Sequence, residues 1–244
     1  MRVKITLSYD GSCFEGYQIQ KKTQNTIASK LYKAFKTLNI NSKIEASGRT
    51  DRGVHATNQV IHTDLPSFWS DLEKLKTFLN RQLLPHIYIK KIEKTSPSFH
   101  ARYDAKRRVY RYIVSTKEPS VFLTPYVTFV KDLDKERLKE AVKIFEGIHD
   151  FEYFKKSGSD TKNFVRKIYK TKVYDYRDFT IFYFEANGYL RSQIRMMVGF
   201  LLKISEGKLN ANQLKNQLDK KEITSTTLAP ANGLYLAKIK YKIY

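Results

Sequence analysis

A single cysteine, Cys13, stands among 244 residues. One thiol excludes an intrachain disulfide, and it excludes the multi-cysteine zinc centres of nucleic-acid deaminases. No apolar run reaches the roughly 18 residues that a membrane-spanning helix requires, and the start, MRVKITLSYDG, has neither the apolar stretch nor the small-residue cleavage site of a secretory signal. The expectation is a cytoplasmic protein without a membrane partner. No glycine-rich loop follows a strand, so the usual phosphate cradle of a nucleotide cofactor is missing. Acidic residues are scarce as well: 24 Asp and Glu stand against 45 Lys and Arg, a formal net charge of +21. Such an excess attracts polyanions, of which nucleic acid is the commonest inside cells.

What is present fits that partner. Hydrophobic residues make up 41% of the chain, enough to bury a sizeable core in one large domain or two modest ones. Lysine excess can follow from base composition alone, but the arginines are placed more tellingly. ARYDAKRRVYRYIV interleaves Arg102, Arg107, Arg108 and Arg111 with Tyr103, Tyr110 and Tyr112. Guanidinium groups pair with phosphates and aromatic rings stack on unpaired bases, the chemistry of holding looped RNA.

Periodicity orders the rest. Val3, Ile5, Leu7 and Tyr9 alternate with polar residues, predicting a half-buried strand, and Ile27, Leu31, Ala34, Phe35 and Leu38 predict an amphipathic helix over Thr26 to Leu38. Strands are predicted over 43–46 and 58–63, a second helical face at Trp69, Leu72, Leu75 and Leu79, and a strand at HIYIKKIE. The second half repeats the order: strand RRVYRYIV, helix 135–146 ending at Gly147, strands FVRKIYKTKVYDY and FTIFYFEA meeting at a turn around Arg177, a helix through Leu190, Ile194, Met197, Val198 and Leu201, a short helix at Leu214 and Leu218, and the strand LYLAKIKYKIY. The first half reads β-α-β-β-α-β and the second comes close to the same order, with the join at Thr95 to Ala105. Alternation points to an antiparallel or mixed sheet with helices on one side and an open face on the other. If Val109 and Ile113 mark the core, Tyr110 lies on the open face, where it can stack on a base; otherwise it closes the rim of the core.

Between two predicted strands lies EASGRTDRGVHA, residues 45–56. Gly, Ser, Thr and Asp build turns, so Asp51 reads locally as a turn residue as readily as a reagent.

Five segments decide more together than apart. YDGSCFEGYQIQ, SGRTDRGVHATNQV, SFHARYDAKRRVYRYIV, ANGYLRSQIRMMVG and APANGLYL resemble, in order and across nearly the whole chain, the motifs of the tRNA pseudouridine synthase A family. The pairing of GRTD with GVHA is the most specific of them. The resemblance implies an α+β fold of two related ferredoxin-like halves, 1–105 carrying the aspartate loop and 106–244 the tyrosine strand, forming a continuous, mostly antiparallel sheet with helices on one side and a basic cleft. It implies isomerisation of uridine to pseudouridine in the anticodon stem-loop of tRNA by a homodimer, without metal or organic cofactor. Carried over by position, the catalytic aspartate falls on Asp51, and the substrate-binding residues on Arg49, Tyr110, Arg195 and Leu234.

The chemistry agrees with that choice. The bond from C1′ to N1 must break, the freed uracil must turn, and its C5 must join the same sugar carbon. A carboxylate able to attack or to shuttle a proton, and a pocket that retains the base, suffice. Arg195 would keep Asp51 ionised, Tyr110 and Leu234 would sandwich the base, and Arg49 would hold a phosphate or the flanking nucleotide. His55 reads as a support of the loop. Structural alternatives stand beside these roles: Arg195 as a helix cap and Leu234 as ordinary core. The chain departs from the family at Tyr17, Arg52 and Gln193. Two other classes fit parts of the sequence: a uridine methyltransferase with Cys13 as nucleophile, which lacks its cofactor loop, and a non-catalytic RNA-binding or RNA-chaperone protein, which Asp51 and Tyr110 argue against.

Overall fold

The computed structural model describes residues 1–158 and 161–242. In chain order its elements are β1 (Arg2–Tyr9), α1 (Ile27–Thr37), β2 (Glu45–Ala46), β3 (His55–Asp64), α2 (Leu72–Leu83), β4 (Ile87–Lys94), β5 (Arg107–Ser115), β6 (Thr128–Phe129), α3 (Lys135–Ala141), β7 (Gly147–Asp150), β8 (Val165–Tyr176), β9 (Phe179–Ala186), α4 (Gln193–Ser205), α5 (Ala211–Leu218) and β10 (Leu234–Lys240). No helix among the described residues is long and apolar enough to cross a membrane. Packing divides the chain into two units, Met1–Lys106 with Tyr235–Tyr244, and Arg107–Leu234. The final two residues of the strand predicted at LYLAKIKYKIY, 243 and 244, lie outside the described residues.

The first unit follows the predicted β-α-β-β-α-β order. Val3, Ile5, Leu7 and Tyr9 are buried while their neighbours on β1 are half-exposed, as the alternation requires. Each aliphatic side chain so buried contributes roughly 1.5–3 kcal/mol. β1 lies between β3 and β4, antiparallel to both. β2 is shorter than predicted and β3 longer, so that His55 and Ala56 of the opening motif are already strand. β10 runs parallel to β3, with Tyr235 opposite His55 and Leu236 opposite Ala56. Thr26 caps α1 by accepting from Ser29 N–H, and the face it starts buries Ile27, Leu31, Ala34 and Phe35. Asp71 does the same for α2, and the buried Asn80 side chain ties α2 to β4 by bonds to both peptide groups of Ile89.

In the second unit β9 lies between β5 and β8, and β8 pairs onward with β7, all antiparallel; β6 adds a short parallel bridge to β5. The hairpin from β8 to β9 closes through Arg177 at φ +54°, where the sequence predicts the turn. The helix predicted over 135–146 keeps α-geometry only to Ala141 and finishes as a 3-10 turn over Val142–Phe145. Leu138, Val142 and Phe145 still point inward. Leu190 is buried just ahead of α4 rather than within it.

Strand β5 buries residues on both of its faces. Val109, Tyr112 and Val114 are buried, Arg111 is exposed, and Tyr110 and Ile113 are half-buried. The half-buried Tyr110 matches the rim position more than a fully open one. Tyr112, on the same face as Tyr110, is buried with partners for its hydroxyl: Tyr112 Oη bonds Thr128 Oγ1 at 2.6 Å and donates to Pro230 O at 2.9 Å.

Candidate functional site

Asp51 lies on the loop between β2 and β3, and the segment following β1 fixes that loop through its backbone. Tyr17 N–H donates to Thr50 O at 3.0 Å. Tyr9 Oη bonds Thr50 Oγ1 at 2.8 Å, its phenol pushed up to about 12 by burial. Gly16, at φ +105°, brings its Cα so near that a Cβ would lie 3.2 Å from both Arg52 N and Thr50 O. Gly11 is closer still: a Cβ there would stand 2.0 Å from Val54 O. The two glycines of YDGSCFEGY are thus spacers that let one strand of backbone rest on another.

The loop braces itself from within. Val54 N–H donates to Asp51 O at 3.2 Å, closing the turn around Gly53, which takes φ +77°. Ser47 Oγ donates to Gln59 Oε1 at 2.7 Å, and Gln59 Nε2 donates to Gly48 O at 2.9 Å. His55 is buried, accepts from Gly11 N–H through Nδ1 at 3.0 Å and stacks on Tyr235 with centroids 4.7 Å apart. It holds the loop to β1 and β10, the supporting part expected of it. Thr50 is buried, Asp51 half-buried, and Arg49 and Arg52 exposed. The carboxylate is thus carried by a backbone tied at both ends, with its neighbouring cations in solvent.

The departures have local explanations. Arg52 Nη1 lies 3.3 Å from Glu15 Oε2, an exposed pair worth under about 1 kcal/mol. Tyr17 is buried, and its hydroxyl has no hydrogen-bond partner; burial pushes that phenol far above its ordinary value. Gln193 is buried at the start of α4, where its Oε1 accepts from Leu190 N–H at 2.8 Å. Cys13 is exposed. Asp10, Cys13 and His86 bring possible ligand atoms within 4.8 Å of one another. One oxygen of Asp10 already accepts from Ser12 N–H and Oγ, so its first task is to cap that turn.

The second unit assembles the other candidates. Arg195, on the first turn of α4, donates from Nε to Ala229 O at 2.8 Å, and Ala229 N–H donates back to Arg195 O at 2.9 Å. Its charge also opposes the burial that raises the Tyr112 phenol. Leu234 is buried at the head of β10. Gly233 before it donates nothing but space: its carbonyl accepts from Ile113 N–H at 2.8 Å, and a Cβ there would lie 2.7 Å from Thr128 Oγ1 and 2.8 Å from Ile113 O. The segment 229–234 therefore touches both the α4 arginine and the strand of Tyr110. Tyr110 meets Tyr189 edge to face at 5.3 Å. The Tyr189 hydroxyl is buried without a hydrogen-bond partner, and burial drives its pKa well up.

Thr50, Gly16 and Tyr189 escaped the sequence reading. Their roles rest on contacts between segments far apart in the chain, and only the glycine spacing in YDGSCFEGY carried any trace of them.

Known proteins agree across most of the chain. A family model described as tRNA pseudouridine synthase matches residues 5–104 and 141–242. A protein named tRNA pseudouridine synthase A from Wolinella succinogenes is 42% identical over 236 residues, covering 97% of this chain and 93% of its own. Its namesake from Campylobacter jejuni is 41% identical over 241 residues, covering 99% and 100%, and one from a Geobacillus species is 39% identical over 246 residues, covering 98% of each.

Proposed function

Because the chain belongs to the tRNA pseudouridine synthase family, and so isomerises uridine to pseudouridine in tRNA, we propose that its target uridines lie in the anticodon stem-loop and that Asp51 is the catalytic carboxylate. The observation that carries the second assignment is the construction of the loop. Tyr17 N–H and Tyr9 Oη bond Thr50, His55 at the loop's end accepts from Gly11 N–H, and Gly11 and Gly16 leave room for the loop's backbone. A mere turn needs no such support, whereas a reacting group must be held to within a fraction of an ångström.

Substrate and product contain the same atoms, so the reaction calls for no oxidant and no group donor. A proton leaves C5 and another is placed on nitrogen, while the glycosidic bond breaks and a carbon–carbon bond forms. Asp51 either bonds the sugar or the ring transiently or takes a sugar proton; each route uses the same carboxylate. In this reading Arg195 is the cation that keeps Asp51 ionised, and Tyr110 and Leu234 are the walls between which the free uracil turns. Arg49, exposed on the loop, takes a phosphate or the nucleotide flanking the extruded base. The aspartate half is 1–105 and the base-binding half 106–244, although the last strand of the latter, β10, packs with the first unit. Two copies of the chain form the working enzyme, in the cytoplasm, and no metal or organic cofactor takes part.

The decisive assay uses tRNA tritiated at C5 of uridine, from which pseudouridine formation releases the label to water. Asp51→Ala is expected to lower release by at least roughly 10²–10⁴-fold while tRNA binding persists, and Cys13→Ser to leave it unchanged. Sequencing the product for pseudouridine reports whether the modified positions lie in the anticodon arm. Turnover surviving in the Asp51 variant removes the mechanistic assignment.

A further inference from the structure

Away from the aspartate loop, the first unit carries a ladder of rings that ends in solvent. Tyr241 meets Phe99 at 5.1 Å, Phe99 meets His62 at 6.1 Å, His62 meets His100 at 4.7 Å, and His100 meets Tyr103 at 4.3 Å with ring planes 35° apart. The inner rungs are fixed. His62 is buried and accepts from Ala101 N–H through Nδ1 at 3.1 Å, and Tyr241 Oη donates to Ala101 O at 2.8 Å. His100 Nδ1 accepts from the N–H groups of Arg102 and Tyr103, while its own N–H donates to Asp104 Oδ2 at 2.8 Å. The outer rung is open: Tyr103 is 73% exposed. A cation flanks it: the Arg102 guanidinium sits 5.7 Å from the Tyr103 ring.

We propose that Tyr103 is a stacking platform for an unpaired nucleobase of the tRNA, with Arg102 meeting an adjoining phosphate. The proposal rests on the tRNA substrate of the family and is independent of both the anticodon-arm reading and the role of Asp51. An exposed tyrosine earns nothing for folding, yet this one is held by a stack and by backbone bonds on both sides of His100. Preorganisation of that kind lowers the ordering cost of a bound base. Position supports it as well. Glu45, on β2, pairs across the ladder with His62 and lies six residues before Asp51, a length of chain that spans at most about 20 Å. Platform and carboxylate are therefore within reach of one folded RNA arm.

The test measures binding of unmodified tRNA transcript by filter retention in an Asp51→Ala background, together with KM in the active enzyme. Tyr103→Ala is expected to raise Kd and KM by roughly 5- to 150-fold, the range of a single base–aromatic stack, with the loss larger in KM than in kcat and the melting temperature unchanged. Tyr103→Phe and Tyr103→Trp should bind like the parent, since each keeps a ring. Tyr88→Ala, removing an exposed tyrosine outside the ladder, serves as the control and should not weaken binding. Affinity in Tyr103→Ala within about twofold of the parent overturns the platform, and so does a loss in Tyr103→Phe equal to that in Tyr103→Ala, which would make the hydroxyl the contact. Neither failure alters what the Asp51 variant or the mapped product positions report.

Discussion

The two units hold their candidate residues by different means. In the first, Asp51 sits on a loop whose shape is imposed by peptide groups of the segment after β1, admitted by Gly11 and Gly16. In the second, Tyr110 and Arg195 stand on a strand and a helix whose positions follow from the core itself, with Tyr112, Phe182, Phe184 and Phe200 fully buried around them. A loop can be displaced without unfolding its sheet. A strand seldom can. The carboxylate proposed to meet the reacting sugar is thus separable from stability, while the groups proposed to hold the base are bound to it.

The strongest way to break this comparison is a pair of glycine substitutions. Gly11→Ala pushes Val54 O, and with it the end of the aspartate loop, away from residue 11, and a shift near 1 Å is expected to cost about 100-fold in tritium release. Gly233→Ala meets Thr128 and Ile113 in the second unit, where overpacking costs about 1–3 kcal/mol. It should lose more melting temperature for less loss of rate than Gly11→Ala. Equal ratios of rate loss to stability loss in the two variants would erase the distinction. Next comes Arg195→Ala. If Arg195 acts as the proposed counter-ion of the catalytic carboxylate, the acid limb of the rate profile is expected to move upward in this variant, with a small change in melting temperature. An unmoved limb assigns the counter-ion to another residue.

The smallest effect concerns His62. Burial, then the neighbouring His100 and Arg2 charges, lower its pKa against the pull of Glu45 and Asp64. A base with a depressed folded pKa stabilises the fold above its unfolded value, near about 6.5, and that contribution is lost as pH falls below it. Melting temperature should therefore drop between pH 7.5 and pH 5.5 by less in His62→Gln, which can still accept from Ala101 N–H, than in the parent. Identical drops would mean that His62 is not a titrating support.

Most of the architecture was legible because amphipathic periodicity survives into the fold. Leu31 and Phe35 are buried on α1 as their spacing demands, and Arg177 takes the left-handed turn between β8 and β9. The two-residue β6 and the four-residue β7 are too short to carry a period, and neither was predicted. The alternation of β5 leaves the exposure of Tyr110 open, because the strand buries Val109 on one face and Tyr112 on the other, the latter against Thr128 and Pro230 far along the chain. The same holds at the candidate site. Asp51, Arg195 and Leu234 could be named from motifs, but the reason for Gly11, that it makes room for Val54 O, exists only once β1 and β3 lie side by side.

The parallel pairing of β10 with β3 has a consequence for biosynthesis. Tyr235 stacks on His55, and Thr57 Oγ1 donates to Ala237 O across 180 residues of sequence. At ribosomal rates of about 5–20 residues per second, roughly 10 to 40 s separate the emergence of those partners. Throughout that interval the strand next to the aspartate loop waits with an unpaired edge. The unit that carries the aspartate loop, although most of its residues are translated first, is completed only by the last strand to emerge.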